Sequence, residues 1–156
     1  MSWSGSRYRK APLGARLGAS LLDGLIGTAA WLPGIVLIAM GGAGEGEGIA
    51  IVGTLVLVIG FVWALYYSFV KDGWGTGASF GKRAVGLMVV HLPTNQPCTK
   101  GQSALRALVL LLLNFVPFIG WLIEPILVLA ADDGRRLGDR AADTQVVTVA
   151  DYAAVG

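Results

Sequence analysis

Long apolar runs alternate along this chain with short, charge-dense stretches, and this alternation predicts helices that cross a membrane. Three apolar segments stand out, at residues 17–40, 49–70 and 107–131. The second contains no charged residue, and its 22 residues match the roughly 20 that a helix needs to cross a bilayer. The first two segments are therefore predicted to be spanning helices.

The third apolar segment is less regular than the other two. Pro117 and Pro125 lie within it, and each removes a helix hydrogen bond. Broken or re-entrant helices occur in membranes where the freed carbonyls face protein or water. The segment is therefore predicted to be Pro-broken or re-entrant, with a single crossing as the alternative.

Two short stretches outside the apolar segments have the composition of β-strands. Residues 85–92 are rich in β-branched side chains and are followed by turn chemistry at residues 93–97, which predicts a strand and hairpin. Residues 144–149 form a second candidate strand, which could pair near Val89 if the third segment is re-entrant. The predicted fold is thus an all-α membrane protein with a small cytoplasmic β-hairpin-like element, in one domain over residues 1–156.

The Lys and Arg counts predict the topology, because positive residues concentrate on the cytoplasmic side. Four lie in the N-terminal tail up to Arg16 and five lie in residues 71–106, but the loop around Glu45 and Glu47 has none. We expect a multi-pass protein of the cell membrane with a cytoplasmic N-terminus and that loop outside. The first apolar segment is interpreted as a retained signal anchor, and the side of the C-terminal tail follows from whether the third segment spans.

Composition narrows the function classes. Hydrophobic residues make up 54% of the chain and charged residues 14%, against about 25% charge in soluble domains. A net charge of +2 gives no reason to expect nucleic acid as a partner. Cys98 and His91 are each the only residue of their type, which excludes an internal disulfide and leaves too few ligands for a zinc site. We expect no metal, no cofactor and no catalytic site.

Two carboxylates within the apolar segments are the candidate ion or proton site. Asp23 lies seven residues after Arg16, which places both on one helix face, and Glu124 lies beside Pro125. An ionised carboxylate at membrane depth must be paired, hydrated or protonated. The alternatives are an ion pair that locks helices together for Asp23, and simple solvation near the interface for Glu124.

Charged clusters border the apolar segments. Lys82 and Arg83 form one cluster, and Arg106 enters the third segment. Residues 132–140 mix both signs, with Asp139 among arginines that include Arg136 and Arg140. Such clusters anchor membrane proteins on the cytoplasmic side, but the mixed signs favour charge-assisted hydrogen bonds around Asp139.

At these residues the chain resembles the RDD family of small bacterial membrane proteins. The resemblance implies that Arg16 is the arginine of the family's name and that Asp23 and Asp139 are its two aspartates. We expect Arg16 and Asp23 to form one electrostatic network with Asp139 or a nearby basic residue. Gly138 stands where a histidine is common, and Asp143 where a glycine is common. The resemblance runs along nearly the whole chain, through Ala15–Asp23, Ser79–Val90, Arg106 and Arg136–Val147.

Two functions are compatible with this sequence. The resemblance implies a transporter or ion-translocating component for cations or protons, which would need a homo-oligomer because three segments enclose little pathway. The alternative is a non-catalytic accessory or assembly subunit of a larger membrane complex. Both have the lipid bilayer as a partner.

Overall fold

The computed structural model describes residues 7–42, 46–114, 126 and 128–155. The chain is mostly helical, with a small three-stranded sheet. In chain order, the elements are α1 Leu13–Gly42, α2 Glu47–Val70, a 3-10 turn Lys71–Gly73, α3 Phe80–Ala84, β1 Leu87–His91, β2 Gln96–Pro97, α4 Lys100–Asn114, α5 Leu137–Ala141, β3 Thr144–Thr148 and α6 Val149–Val155.

The described chain forms two compact units. The first comprises residues 1–20 and 69–156 and is called the charged unit; the second comprises residues 21–68 and is called the helical hairpin. Residues 115–125 and 127 lie outside the described residues, so the predicted break or re-entry of the third segment stays a prediction.

The helical hairpin is built from two apolar helices. The helices Leu13–Gly42 and Glu47–Gly73 are long and apolar enough to cross a membrane, and only 11% of each apolar window is buried. This confirms that the first two apolar segments form long apolar helices. A soluble core helix would bury most of such a window, so this exposure is typical of helices surrounded by lipid.

Small residues set the distance between the two helices of the hairpin. The buried residues of α2 are Gly53, Gly60 and Tyr67, which recur every seventh position on one face. A Cβ added at Gly53 would lie 2.7 Å from the main-chain nitrogen of Ile38, and one added at Gly60 would overlap the carbonyl of Ala30. The backbones therefore approach each other closely, as small residues allow in membranes.

The sheet lies at the centre of the charged unit. Its order is β2-β1-β3 and both pairings are antiparallel, with Val90 opposite Pro97 and Val89 opposite Val146. The predicted strand and hairpin are thus confirmed, and the predicted pairing near Val89 makes the β element larger than a hairpin. Asn95 closes the turn with a φ of 56°, a conformation that asparagine tolerates well.

Both faces of β1 are covered, because successive side chains of a strand point to opposite faces. Leu87 and Val89 belong to one apolar cluster, which includes Ala19 of α1 and Cys98. Met88 and Val90 belong to the other, which includes Tyr8 and Val147. The sheet thus carries the apolar core of the charged unit and holds the elements that bear its charged side chains.

Candidate functional site: a buried ion network

Arg106 lies at the centre of a buried ion network in the charged unit. It projects from α4, and only 8% of the residue is exposed. Its Nε donates to Asp139 at 2.8 Å, one terminal nitrogen lies 2.6 Å from the same carboxylate, and the other donates to Asp72 at 3.1 Å. Burial lowers the pKa of Arg106, but Asp139 and Asp72 raise it by more, so that pKa lies above its ordinary value.

Asp72 receives a second cation on its other oxygen. That oxygen pairs with the Lys82 ammonium group, while the Asp72 N–H donates to Ser103 Oγ at 3.3 Å. Burial lowers the pKa of Lys82 even though the Asp72 carboxylate opposes that effect. Asp72 therefore joins the turn after α2 to α3 and α4 through charge-assisted bonds.

Asp139 uses both carboxylate oxygens as well. One oxygen accepts from Arg106, and the other accepts the main-chain N–H of Arg136 at 3.1 Å, at the start of α5. The residue is 1% exposed. The main-chain carbonyl of Asp139 also accepts a bond from Arg135 at 3.2 Å. Asp139 thus fixes the start of α5 and the position of Arg106 together.

Arg16 joins α1 to the same unit through main-chain carbonyls. Its two terminal nitrogens donate to Gly134 at 2.5 Å and to Val146 at 3.2 Å. Among the described residues, its Nε is the one buried side-chain nitrogen or oxygen without a hydrogen-bond partner. Arg16 therefore ties the start of α1 to the segment before α5 and to β3, while the ion pair of Asp139 is made with Arg106.

Asp23 belongs to the helical hairpin. Its carboxylate accepts a hydrogen bond of 3.0 Å from the hydroxyl of Tyr67, and the two residues are 5% and 2% exposed. This bond joins α1 and α2 within the hairpin. The predicted coupling of Asp23 to Arg16 and Asp139 stays a prediction.

The remaining predicted residues lie away from the ion network or outside the described residues. Arg83 donates to the carbonyls of Ala78 and Trp74. The side chain of Arg140 is 47% exposed and lies 3.9 Å from Asp133, too far for a strong pair. Glu124 lies outside the described residues.

Sequence reasoning did not select Asp72 of the ion network or Tyr67 of the helical hairpin. Asp72 is the single acid among five positive residues at 71–106, and that imbalance was the available signal. Tyr67 lies near the end of α2 and carries no comparable signal. The partner of each is distant in sequence, which is why spacing alone does not reveal it.

The RDD family model matches residues 10–143, most of the chain. The chain belongs to the RDD family. No curated protein and no solved structure matched it. Family membership and the two exposed apolar helices together identify a membrane protein.

The structure explains why this chain departs from the RDD family pattern at Gly138 and Asp143. A Cβ at Gly138 would lie 2.7 Å from the carbonyl oxygen of Arg106, so α5 packs here against the backbone of α4. Asp143 has a φ of 49°, in the left-handed region that glycine adopts without cost. A glycine at position 143 therefore suits the backbone, and Asp143 occupies it under mild strain.

Proposed function

We propose that this RDD protein is a non-catalytic accessory or assembly subunit of a larger complex in the cell membrane. The proposal rests on the observation that the carboxylates of the ion network already bind partners within the chain. Asp72 and Asp139 each use both oxygens to bind partners within the chain. Freeing either carboxylate to carry a proton or cation through a cycle would break a buried ion pair, which is costly. These two instead rigidify the charged unit, as a binding platform requires.

Purification from native membranes in mild detergent tests this role. The wild-type chain should elute with a defined partner set at a mass above that of its own oligomer. The variant Arg106→Gln should lose that set, and Arg140→Gln, which changes an exposed arginine, should retain it. A wild-type chain that purifies with no partner in its native membrane would contradict the proposal.

Transport of a cation or proton is the second candidate, and one observation favours it. Asp23 is an almost fully buried carboxylate in an apolar hairpin, with the Tyr67 hydroxyl 3.0 Å away. Carboxylates at such depth commonly serve in ion or proton pathways. Two helices enclose little pathway, so this role would require several copies of the chain.

Flux through proteoliposomes distinguishes the two roles. A transporter would move sodium, potassium or protons down an imposed gradient, and Asp23→Asn would abolish that flux while the protein stayed folded. The exposed carboxylate change Asp132→Asn serves as the control. Folded wild-type protein with no flux under any of these gradients would remove transport and leave the accessory role.

The proposed topology places the charged unit in the cytoplasm. All twelve Lys and Arg residues lie in this unit and none in the hairpin, a distribution that the positive-inside rule assigns to the cytoplasmic side. Pairing of β1 with β3, and of Arg106 with Asp139, supports placing the 71–106 connection and the C-terminal tail on one side. We therefore favour the re-entrant alternative over a single third crossing.

Impermeant thiol labelling of intact cells tests this topology on a Cys98→Ser background. Gly44→Cys, between the end of α1 and the start of α2 in the sequence, should react from outside. Thr94→Cys and Ala153→Cys should react only after permeabilisation. Outside labelling of Ala153→Cys alone would restore the single crossing. Outside labelling of Thr94→Cys would reverse the whole orientation.

A further inference from the structure

Helix α4 turns its polar side to the protein and its apolar side outward, which is the reverse of a surface helix in a water-soluble protein. Its protein-facing side carries Ser103 and Arg106, which are 3% and 8% exposed. Its outer side carries Leu105, Leu108 and Leu112, which are 41%, 43% and 58% exposed. Positions three and four apart share a helix face, so these leucines form one continuous stripe.

This arrangement requires an apolar environment on the outer side of α4. In water, a surface helix turns its apolar stripe to the core and its charges outward. Here the polar side is already used, because Arg106 binds two carboxylates and Ser103 accepts the N–H of Asp72. The helix cannot rotate its leucines inward without breaking these bonds.

The chain itself indicates that lipid covers the stripe. Helix α2 ends at Val70, and the turn that follows it packs on the first residues of α4. A Cβ at Gly73 would overlap the backbone of Lys100, so the approach is direct. Because α2 is a candidate membrane helix, α4 begins at the level where the chain leaves the bilayer.

An aromatic pair close to the end of α2 also indicates that this part of the chain lies at the membrane surface. Trp74 and Phe80 pack edge to face with ring centres 5.9 Å apart, and Phe80 is 51% exposed. The Arg83 guanidinium lies 5.8 Å from the centre of the Phe80 ring. Aromatic rings accompanied by cations are typical of the headgroup region of a bilayer.

We infer that α4 docks on the bilayer, with Leu105, Leu108 and Leu112 in contact with acyl chains and Arg106 held behind them by the ion network. The contact begins at Leu105, two positions before the apolar segment of residues 107–131. A helix that lies on or enters the bilayer this way presents its apolar face to lipid over its described length. This contact with lipid would form whether the protein assembles a complex or moves an ion.

Spin labels at the three leucine positions test whether lipid, water or protein covers the leucine stripe. Each leucine is replaced by Cys on a Cys98→Ser background, and the full chain is placed in nanodiscs of phosphatidylethanolamine and phosphatidylglycerol. Ile59→Cys, on the exposed surface of α2, provides the lipid standard, and Thr94→Cys, in the exposed β1–β2 turn, provides the water standard. Oxygen enriches in lipid and a nickel chelate in water, so their relative accessibility separates the two.

All three leucine positions should give an oxygen-to-nickel ratio several-fold above that of Thr94→Cys and close to that of Ile59→Cys. A ratio close to that of Thr94→Cys would show water at the stripe and overturn the inference. Low accessibility to both reagents would show that protein covers the stripe, such as a second copy, and would also overturn it.

A measurement on the unmodified sequence guards against labels that disturb folding. Wild-type protein in nanodiscs that contain a lipid with a diazirine on its acyl chain is irradiated and digested with trypsin. Leu105 lies in the peptide Gly101–Arg106, and this peptide should carry the lipid adduct. The absence of an adduct there, with an adduct on the peptide Leu17–Lys71 that contains the hairpin, would overturn the inference independently.

Discussion

The charged unit and the helical hairpin are stabilised in different ways, although one chain forms both. The charged unit holds all twelve Lys and Arg residues and seven of the ten acids, a formal charge of +5. The hairpin holds three acids and no base, a formal charge of −3. The first is organised by a sheet and a buried ion network. The second is organised by close backbone approach and by the buried hydrogen bond between Tyr67 and Asp23.

The proposed topology accounts for this difference, because it places the hairpin in lipid and most of the charged unit in water. Burial of apolar side chains drives folding in water but contributes little between helices in lipid, where the solvent is itself apolar. A hairpin in lipid therefore depends on van der Waals packing, and small residues increase it. In the charged unit, apolar burial can offset the cost of desolvating ions, provided that every ion is paired. Each unit should consequently be sensitive to its own kind of substitution.

The largest expected effect comes from breaking the ion network. Asp139→Asn should lower the free energy of unfolding of the charged unit by about 3–5 kcal/mol, because it removes one partner of a buried pair. Cys98 offers the readout, since it is the only cysteine and is 2% exposed. Burial raises the pKa of its thiol, so a thiol-reactive dye should label it mainly after thermal unfolding.

Asp132→Asn is the matched control, because Asp132 is exposed and lies in the same charged stretch. It should leave the labelling temperature nearly unchanged. Equal effects of the two substitutions would mean that the Arg106–Asp139 pair does not stabilise the charged unit.

The second expected effect concerns the packing of the hairpin. Gly60→Ala places a methyl group against the carbonyl of Ala30, and overpacking of this kind costs about 1–3 kcal/mol. Gly27→Ala, where nothing lies within 4 Å, is the control in the same hairpin; it should be neutral or gain up to about 1 kcal/mol from helix propensity. Helix melting by circular dichroism in mild detergent measures both, and a reversed order would contradict close approach at Gly60.

A smaller effect is expected from the hydrogen bond of the hairpin. Tyr67→Phe removes the donor to the buried Asp23 carboxylate and should cost about 1–2 kcal/mol. Tyr66→Phe changes a neighbouring tyrosine that is 49% exposed and should cost little. The same melting experiment compares them, and a double variant with Asp23→Asn should fall short of the sum of the single effects. Simple additivity would indicate that the bond contributes nothing.

The sequence predicted the helical hairpin more completely than the charged unit. Apolar length located α1 and α2 to within a few residues, because the bilayer fixes how long a spanning helix must be. Helix α1 begins at Leu13, earlier than the predicted residue 17, because Arg16 is accommodated by carbonyls of the charged unit. Composition located β1 and β3, and their pairing followed from the re-entrant alternative.

The ion network was beyond prediction from local pattern. Arg106 and Asp139 are separated by 33 positions and Arg106 and Asp72 by 34, so helical or strand periodicity cannot pair them. The RDD resemblance drew attention to Asp139 and Arg16 but did not identify their partners. Charge counting predicted the side of the membrane, and only the folded chain shows which charges meet.

The smallest expected effect lies at Asp143, where the departure from the family pattern can be reversed. Its φ of 49° strains a residue with a side chain, and Asp143→Gly should raise the stability of the charged unit by up to about 1 kcal/mol. Its side chain is 60% exposed and lies 3.8 Å from Arg135, so its loss should cost little. Asp143→Ala removes the same carboxylate without relieving the backbone and should show no gain by Cys98 labelling. If both variants destabilised the unit equally, the contact with Arg135 rather than the backbone would determine the residue at this position.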